Sequence, residues 1–141
     1  MLASLLVVHA AVTWCLVGLI WTIQVLQYPL FAHVGEVGFA AYHARHSRHV
    51  TFLVGPLMLV ELVTAVLLVL VPGVPPLLAW AGLGLVIVIW AATAFVSVPI
   101  HARLGSGFDA AEISRLVRTN WIRTAAWTVR GVLVAVALVL A

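Results

Sequence analysis

The chain has 141 residues, of which 65% are hydrophobic and 8% are charged, and its mean hydropathy is +1.25. Soluble domains are about 45–50% apolar and about 25% charged, so this composition excludes a soluble enzyme, a disordered protein and a nucleic-acid-binding domain. It predicts an integral membrane protein whose main partner is the lipid bilayer. The net charge of +3 comes entirely from arginine, because the chain has no lysine.

Four apolar stretches predict membrane-spanning helices, because each approaches or exceeds the roughly 20 residues that a bilayer requires. They cover residues 2–31, 50–71, 77–100 and 121–140. Helices are expected because lipid cannot satisfy an open backbone. The sequence therefore predicts an all-α fold, a four-helix bundle that forms one transmembrane domain over residues 1–141.

The connections between these spans differ in character. Residues 71–76 form a tight turn rich in proline and glycine. Residues 33–49 and 101–120 are longer and polar, and we expect them to be partly helical. Asp109 followed by Glu112 is typical of a helix start.

The arginines outside the spans predict the orientation. Five of them lie in the two polar connections: Arg45, Arg48, Arg103, Arg115 and Arg118. Basic loops face the cytoplasm. We therefore expect a multi-pass protein of the inner (cytoplasmic) membrane with both termini outside.

The two halves of the chain align at an offset of 70 residues. The segment that begins at Pro29 shares the pattern P-x-x-A-x-x-G with the segment that begins at Pro99. This pattern predicts two tandem helical hairpins, residues 1–70 and 71–141, as parallel repeats related by an axis along the membrane normal. The two prolines are expected to end the first and third spans.

Three ionisable residues lie near the middle of the predicted spans: His9, Glu61 and Arg130. An isolated charge at this depth costs at least about 2.5–3.5 kcal/mol. Glu61 and Arg130 are therefore expected to pair inside the bundle, with His9 as a third member. The group is a candidate for acid–base catalysis, and a role in helix packing alone is the alternative.

Polar residues also form stripes that run towards the cytoplasmic side. On the fourth span they are Asn120, Arg123, Trp127 and Arg130, and on the first span they include His9, Gln24 and Gln27. At about 100° per residue, the members of each stripe share one helix face. We expect Asn120 and Arg123 to be catalytic, and Gln24, Gln27 and Trp127 to bind substrate.

Histidines are concentrated on the cytoplasmic side, where His43, His46, His49 and His101 form a candidate metal site. Imidazoles spaced by three residues share a helix face, and copper, iron or zinc suits such ligands. Haem is the other cofactor considered, with His9 as an axial ligand.

Three short motifs resemble a known family. They are Tyr28–Phe31 at the end of the first span, Pro99–Leu104 at the end of the third, and Asn120–Thr124 at the start of the fourth. They are similar to the small four-span membrane proteins grouped as DUF1772, or anthrone oxygenase-like. The resemblance implies a four-helix membrane bundle with Asn120 and Arg123 at a shared site. Some relatives are associated with oxidation of polycyclic phenolic substrates without a known cofactor.

These observations predict an oxidoreductase or oxygenase-like membrane enzyme that acts on a lipophilic, aromatic small molecule in a polar cavity open to the cytoplasm. Two alternatives stay open. One is a haem- or metal-binding protein for electron transfer or metal handling. The other is a non-catalytic accessory subunit assembled as an oligomer, with a homo-oligomer as one form.

Overall fold

The computed structural model describes residues 1–140, and within this range the protein is built from four long helices without strands. They are α1 (Leu2–His33), α2 (Glu36–Leu70), α3 (Pro76–Leu104) and α4 (Ala110–Leu140). All four are long and apolar enough to cross a membrane. The prediction of an all-α, multi-pass membrane protein is confirmed at this level.

The helices pack in a ring in chain order. α1 and α3 each pack against both α2 and α4. Buried apolar side chains form three clusters inside the bundle. Large apolar side chains such as Leu77, Phe52 and Phe95 are exposed on its outside. Apolar side chains on that surface suit contact with lipid, whereas contiguous apolar patches of this kind are rare on soluble monomers.

The polar connections are shorter than the sequence predicts. Most of residues 33–49 and 101–120 are helical and continue the spans, so the breaks are confined to residues 34–35 and 105–109. Hydropathy marks only the part of a helix that lies in lipid, while backbone hydrogen bonds continue beyond it. The 35 residues of α2 correspond to about 52 Å at about 1.5 Å per residue, which exceeds the roughly 30 Å of a hydrocarbon core.

The expectation that Pro29 and Pro99 end the first and third spans is wrong, because α1 continues to His33 and α3 continues to Leu104. Each proline follows a π-helical segment, residues 23–27 in α1 and residues 93–97 in α3. Proline lacks an N–H and its ring clashes with the carbonyl four residues earlier in an α-helix. The wider π turn lies at that carbonyl, which allows the helix to continue.

The turn between α2 and α3 is tight, as the sequence predicts. Gly73 has a φ of 117°, a backbone conformation that residues with a Cβ atom rarely adopt. Glycine therefore suits this position for its backbone conformation. The start of α4 is also as expected, since the Asp109 carboxylate accepts hydrogen bonds from the N–H groups of Ala111 and Glu112.

Candidate functional site

Polar side chains, all buried except the partly exposed His101, form two clusters along the inside of the bundle. The first, called here the mid-membrane cluster, consists of His9, Thr13, Glu61, Thr64, Trp127 and Arg130. The second, called here the Arg123 cluster, consists of Gln24, Tyr28, His43, His101, Asn120, Arg123 and Thr124. Each cluster draws side chains from at least three helices, so neither exists before the bundle assembles.

Arg130 is the centre of the mid-membrane cluster. Its Nε donates to a Glu61 carboxylate oxygen at 2.9 Å, and its Nη2 lies 2.9 Å from Nε2 of His9. Its Nη1 donates to the backbone carbonyl of Gly82 on α3. One guanidinium on α4 therefore contacts all three other helices, and the predicted pairing of Glu61 with Arg130 is confirmed.

The tautomer of His9 follows from its partners. Arginine only donates, so Nε2 of His9 accepts from Arg130 and its Nδ1 carries the proton. Nδ1 then donates to the Thr64 hydroxyl at 2.6 Å, and that hydroxyl donates to the carbonyl of Val60 at 2.7 Å. Both ring nitrogens of His9 are occupied, so neither is free to ligate a haem iron.

Glu61 is fully buried and has partners for both carboxylate oxygens. Besides Arg130, one oxygen accepts from the Thr13 hydroxyl at 3.2 Å. The other accepts from the indole N–H of Trp127 at 3.0 Å. The charge of Glu61 is thus balanced by Arg130 and solvated by neutral donors, as a buried carboxylate requires.

Arg123, two turns before Arg130 on α4, lies in a different environment. Its Nε donates to the Asn120 side-chain oxygen at 3.0 Å, and its Nη2 donates to the Tyr28 hydroxyl at 3.2 Å. The amide of Asn120 donates to the Gln24 oxygen at 2.8 Å. These partners are all neutral, so the predicted shared site of Asn120 and Arg123 is built without a carboxylate.

A directed row of hydrogen bonds leads from Arg123 towards α2. The Tyr28 hydroxyl lies 3.0 Å from Nε2 of His101, and Nδ1 of His101 lies 2.9 Å from Nε2 of His43. Since the Tyr28 oxygen accepts from Arg123, we assign its proton to the bond with Nε2 of His101 and the Nδ1 proton of His101 to the bond with His43. The order of donation is therefore Arg123, Tyr28, His101 and His43.

The four histidines proposed as a metal site are only partly together. The His46 ring lies parallel to that of His101, with centroids 6.2 Å apart, and its buried Nε2 has no partner. His49 is exposed and bonds the carbonyl of Arg45 in its own helix, so it lies apart from the others. His43 and His101 use facing nitrogens to bond each other. Within residues 1–140, no group of three potential ligands is arranged to hold a metal ion, and the histidines do not fit that role.

The substrate-binding candidates also separate. Gln24 is buried in the Arg123 cluster, but Gln27 bonds the exposed hydroxyl of Tyr42 outside the cluster. The extra residue of the π turn rotates Gln27 away, and Tyr28 lies inside instead. Tyr28 is the site residue that the stripe analysis missed, because a regular 100° step does not include such a turn. Its signal in the sequence is that it directly precedes Pro29.

A small cavity of about 30 Å³ adjoins the Arg123 cluster. Arg123, Tyr28 and Trp127 line one part of it, and apolar side chains of α1 and α2 line the rest. Small-molecule sites measure about 300–1,000 Å³, so only a single polar group of a ligand fits inside this cavity. A second cavity of about 30 Å³ adjoins His9 and Arg130, but the mid-membrane cluster there has its charges already paired.

No protein-family model, curated protein or solved structure matches the chain.

Proposed function

We propose that the protein is a small oxidoreductase or oxygenase-like membrane enzyme that acts on a lipophilic, aromatic substrate with an acidic proton. The observation that carries this proposal is the row Arg123–Tyr28–His101–His43 beside the small cavity. A cationic donor, a phenol and two imidazoles in line are suited to moving a proton. The resemblance to the anthrone oxygenase-like proteins points the same way.

In this proposal Tyr28 is the group that meets the substrate. Its proton moves to Nε2 of His101, while the Nδ1 proton of His101 moves to Nε2 of His43. Arg123 stabilises the resulting phenolate through its Nη2 donor. The Tyr28 oxygen then takes the acidic proton of the substrate and leaves an electron-rich enolate whose oxygen lies beside Arg123.

The enolate reacts with dioxygen, which is the oxidant of the proposed reaction. A methylene flanked by aromatic rings loses four electrons and becomes a carbonyl. One oxygen atom of dioxygen enters that carbonyl, and the other leaves as water with the two hydrogens of the methylene. Neither a metal nor an organic cofactor is needed for this balance.

The test compares the two tyrosines of the chain. Purified protein in detergent is mixed with anthrone as the probe, and dioxygen consumption is followed with an oxygen electrode. General acid–base groups contribute about 10²–10⁴-fold to rates, so Tyr28→Phe is expected to slow consumption by at least about 100-fold. Tyr42→Phe is the matched control and should retain the rate. Consumption no faster than in detergent alone, or an unaffected Tyr28→Phe variant, would overturn the proposal.

For the mid-membrane cluster the geometry favours a packing role over the catalytic role predicted from the sequence. His9 has partners for both ring nitrogens, and Glu61 has partners for both carboxylate oxygens. Moving a proton here would break a network that joins all four helices. We therefore assign His9, Glu61 and Arg130 to holding the bundle together.

We further propose that the protein lies in the inner membrane with both termini outside. The five arginines outside the apolar parts of the helices all lie at the end of the bundle where α1 meets α2 and α3 meets α4. The opposite end, which holds the turn after Leu70, has none. This orientation is supported by the general retention of arginine-rich helix ends in the cytoplasm. The Arg123 cluster then lies towards the cytoplasmic side.

The tandem repeat is a proposal of the same kind. Its support is that the π segments at residues 23–27 and 93–97 lie 70 residues apart, which is the offset of the sequence alignment. In both, the residue after the segment bonds back five positions, from Tyr28 to Ile23 and from Val98 to Thr93. An experimental structure should superpose residues 1–70 on 71–140 by rotation about the membrane normal; hairpins that do not superpose would overturn the repeat.

A further inference from the structure

Arg123 is a buried cation whose charge is not balanced by any described residue. Its side chain is 8% exposed, and its hydrogen-bond partners are the Asn120 oxygen and the hydroxyls of Tyr28 and Thr93. Both Nε and Nη2 of Arg123 donate to the same Asn120 Oδ1 oxygen, which is a neutral acceptor. A guanidinium in this state has hydrogen bonds but no counter-charge.

The four acidic residues of the chain are all accounted for elsewhere. Glu61 pairs with Arg130, Glu112 pairs with Arg103 and Arg115, and Asp109 caps α4. Glu36 is exposed at the first turn of α2. Within residues 1–140, no carboxylate lies within 4.0 Å of the Arg123 nitrogens. Among the described residues, Arg130 thus has a carboxylate partner and Arg123 has none.

The cavity beside Arg123 measures about 30 Å³, which is room for one charged group. Besides Arg123, Tyr28 and Trp127, the wall is aliphatic, with side chains such as Leu16 and Val54. A molecule that matches this wall has an apolar body and one polar end. Since burial of an unpaired charge is costly and a matched counter-charge relieves that cost, the polar end should be negative.

We propose that the protein binds a lipophilic monoanion, with its anionic oxygen in the small cavity at Arg123 and its apolar body outside the cavity, along α1 and α2. Arginine is suited to this role because its planar fork can meet two oxygens of one carboxylate or a single phenolate oxygen. The inference rests on the cavity of the proposed function and deepens it by naming the charge of the ligand. Equilibrium binding without dioxygen tests it separately from turnover.

The experiment measures binding to purified protein in dodecyl maltoside by isothermal titration calorimetry at pH 7.5 under nitrogen. The probes are anthracene-9-carboxylate and its neutral isostere 9-anthracenemethanol. We expect the carboxylate to bind at least about tenfold more tightly than the alcohol. Arg123→Gln should remove this preference, and Arg123→Lys should keep part of it. Arg118→Gln changes an exposed arginine on the same helix and should leave the preference intact.

A competition with decanoate distinguishes the sources of such an anion. Displacement of anthracene-9-carboxylate by decanoate supports a site that also takes acids from lipids, and failure to displace supports an aromatic anion. Equal affinity of the two anthracene probes for the wild-type protein would overturn the proposal. An undiminished preference for the carboxylate in a folded Arg123→Gln variant would also overturn it. The same holds for tyrosinate absorbance that the ligand-free protein shows and the Tyr28→Phe variant lacks, because Tyr28 itself would then be the counter-charge of Arg123.

Discussion

At the scale of single residues, two arginines on one helix show how partners decide a role. Arg130 meets Glu61, His9 and a backbone carbonyl, so its charge is neutralised. Arg123 meets neutral oxygens alone. Both are buried to a similar degree, and hydropathy does not distinguish them. The difference lies in what the neighbouring helices place against each guanidinium.

The Glu61–Arg130 pair should therefore behave as a coupled unit. Glu61→Gln and Arg130→Gln each leave one buried charge unpaired, and each is expected to reduce the free energy of unfolding by about 3–5 kcal/mol. The double variant should recover part of that loss. Unfolding in detergent, followed by circular dichroism, gives the coupling energy of the double-mutant cycle.

Arg118→Gln on the exposed face of α4 serves as the control and should change stability by less than about 0.5 kcal/mol. Additive losses in the cycle would contradict the pairing of Glu61 with Arg130.

At the scale of elements, the π turns set which side chains face the interior. In a regular helix Gln27 and Tyr28 would both lie within about 60° of Gln24, whereas the wide turn over residues 23–27 turns Gln27 away and keeps Tyr28 inside. The residues at the outside of the two wide turns, Val25 and Phe95, are 61% and 81% exposed. Single extra residues of this kind are frequent at functional sites.

Deletion of Val25 should convert the first wide turn into a regular one. The Tyr28 N–H then bonds the Ile23 carbonyl in regular α-helical register, so Gln24 and Tyr28 keep a common face. The Pro29 ring, however, meets the carbonyl four residues earlier without the wide turn that accommodates it, and we expect a loss of about 3 kcal/mol or more in unfolding free energy. Val25→Ala keeps the chain length and is the control. A deletion variant as stable as Val25→Ala would show that the wide turn is not needed to accommodate Pro29.

The start of α4 offers a test that lies outside the two clusters. Asp109→Ala removes the acceptor for the N–H groups of Ala111 and Glu112. Loss of such a cap costs about 0.5–2 kcal/mol. Asp109→Asn should retain most of the stability because asparagine also caps well. Equal stability of Asp109→Ala and wild-type protein in thermal unfolding would contradict the role of the cap.

At the scale of the whole molecule, the bundle places the arginine-rich helix ends on one side and the tight turn on the other. Ser106, between α3 and α4, and Pro72, between α2 and α3, are both exposed. Val74 in the same turn is buried, which makes it unsuitable for labelling. The two exposed positions therefore report on opposite sides of the membrane.

Cysteine labelling at these positions checks the orientation. In a Cys15→Ala background, Pro72→Cys should react with an impermeant maleimide in intact cells, because basic segments stay in the cytoplasm. Ser106→Cys should react only after permeabilisation. The reverse pattern would place the termini inside and the Arg123 cluster towards the exterior.

The sequence by itself determined the membrane class, the four helices, the pairing of Glu61 with Arg130 and the inward stripe of α4. These features follow from local hydropathy and from the cost of placing a charge in lipid, and both can be read along one segment. The approximate helix ends were less well predicted, because helical hydrogen bonding continues beyond the apolar part of each span.

Only the tertiary structure decided the composition of the Arg123 cluster. Tyr28, His43 and His101 meet from three helices, and their contact depends on the rotation and the relative height of each helix. One extra residue in a wide turn changes that rotation by a large angle without altering the hydropathy of the span. The absence of a carboxylate beside Arg123 among the described residues likewise depends on which side chains the packing of four helices brings together.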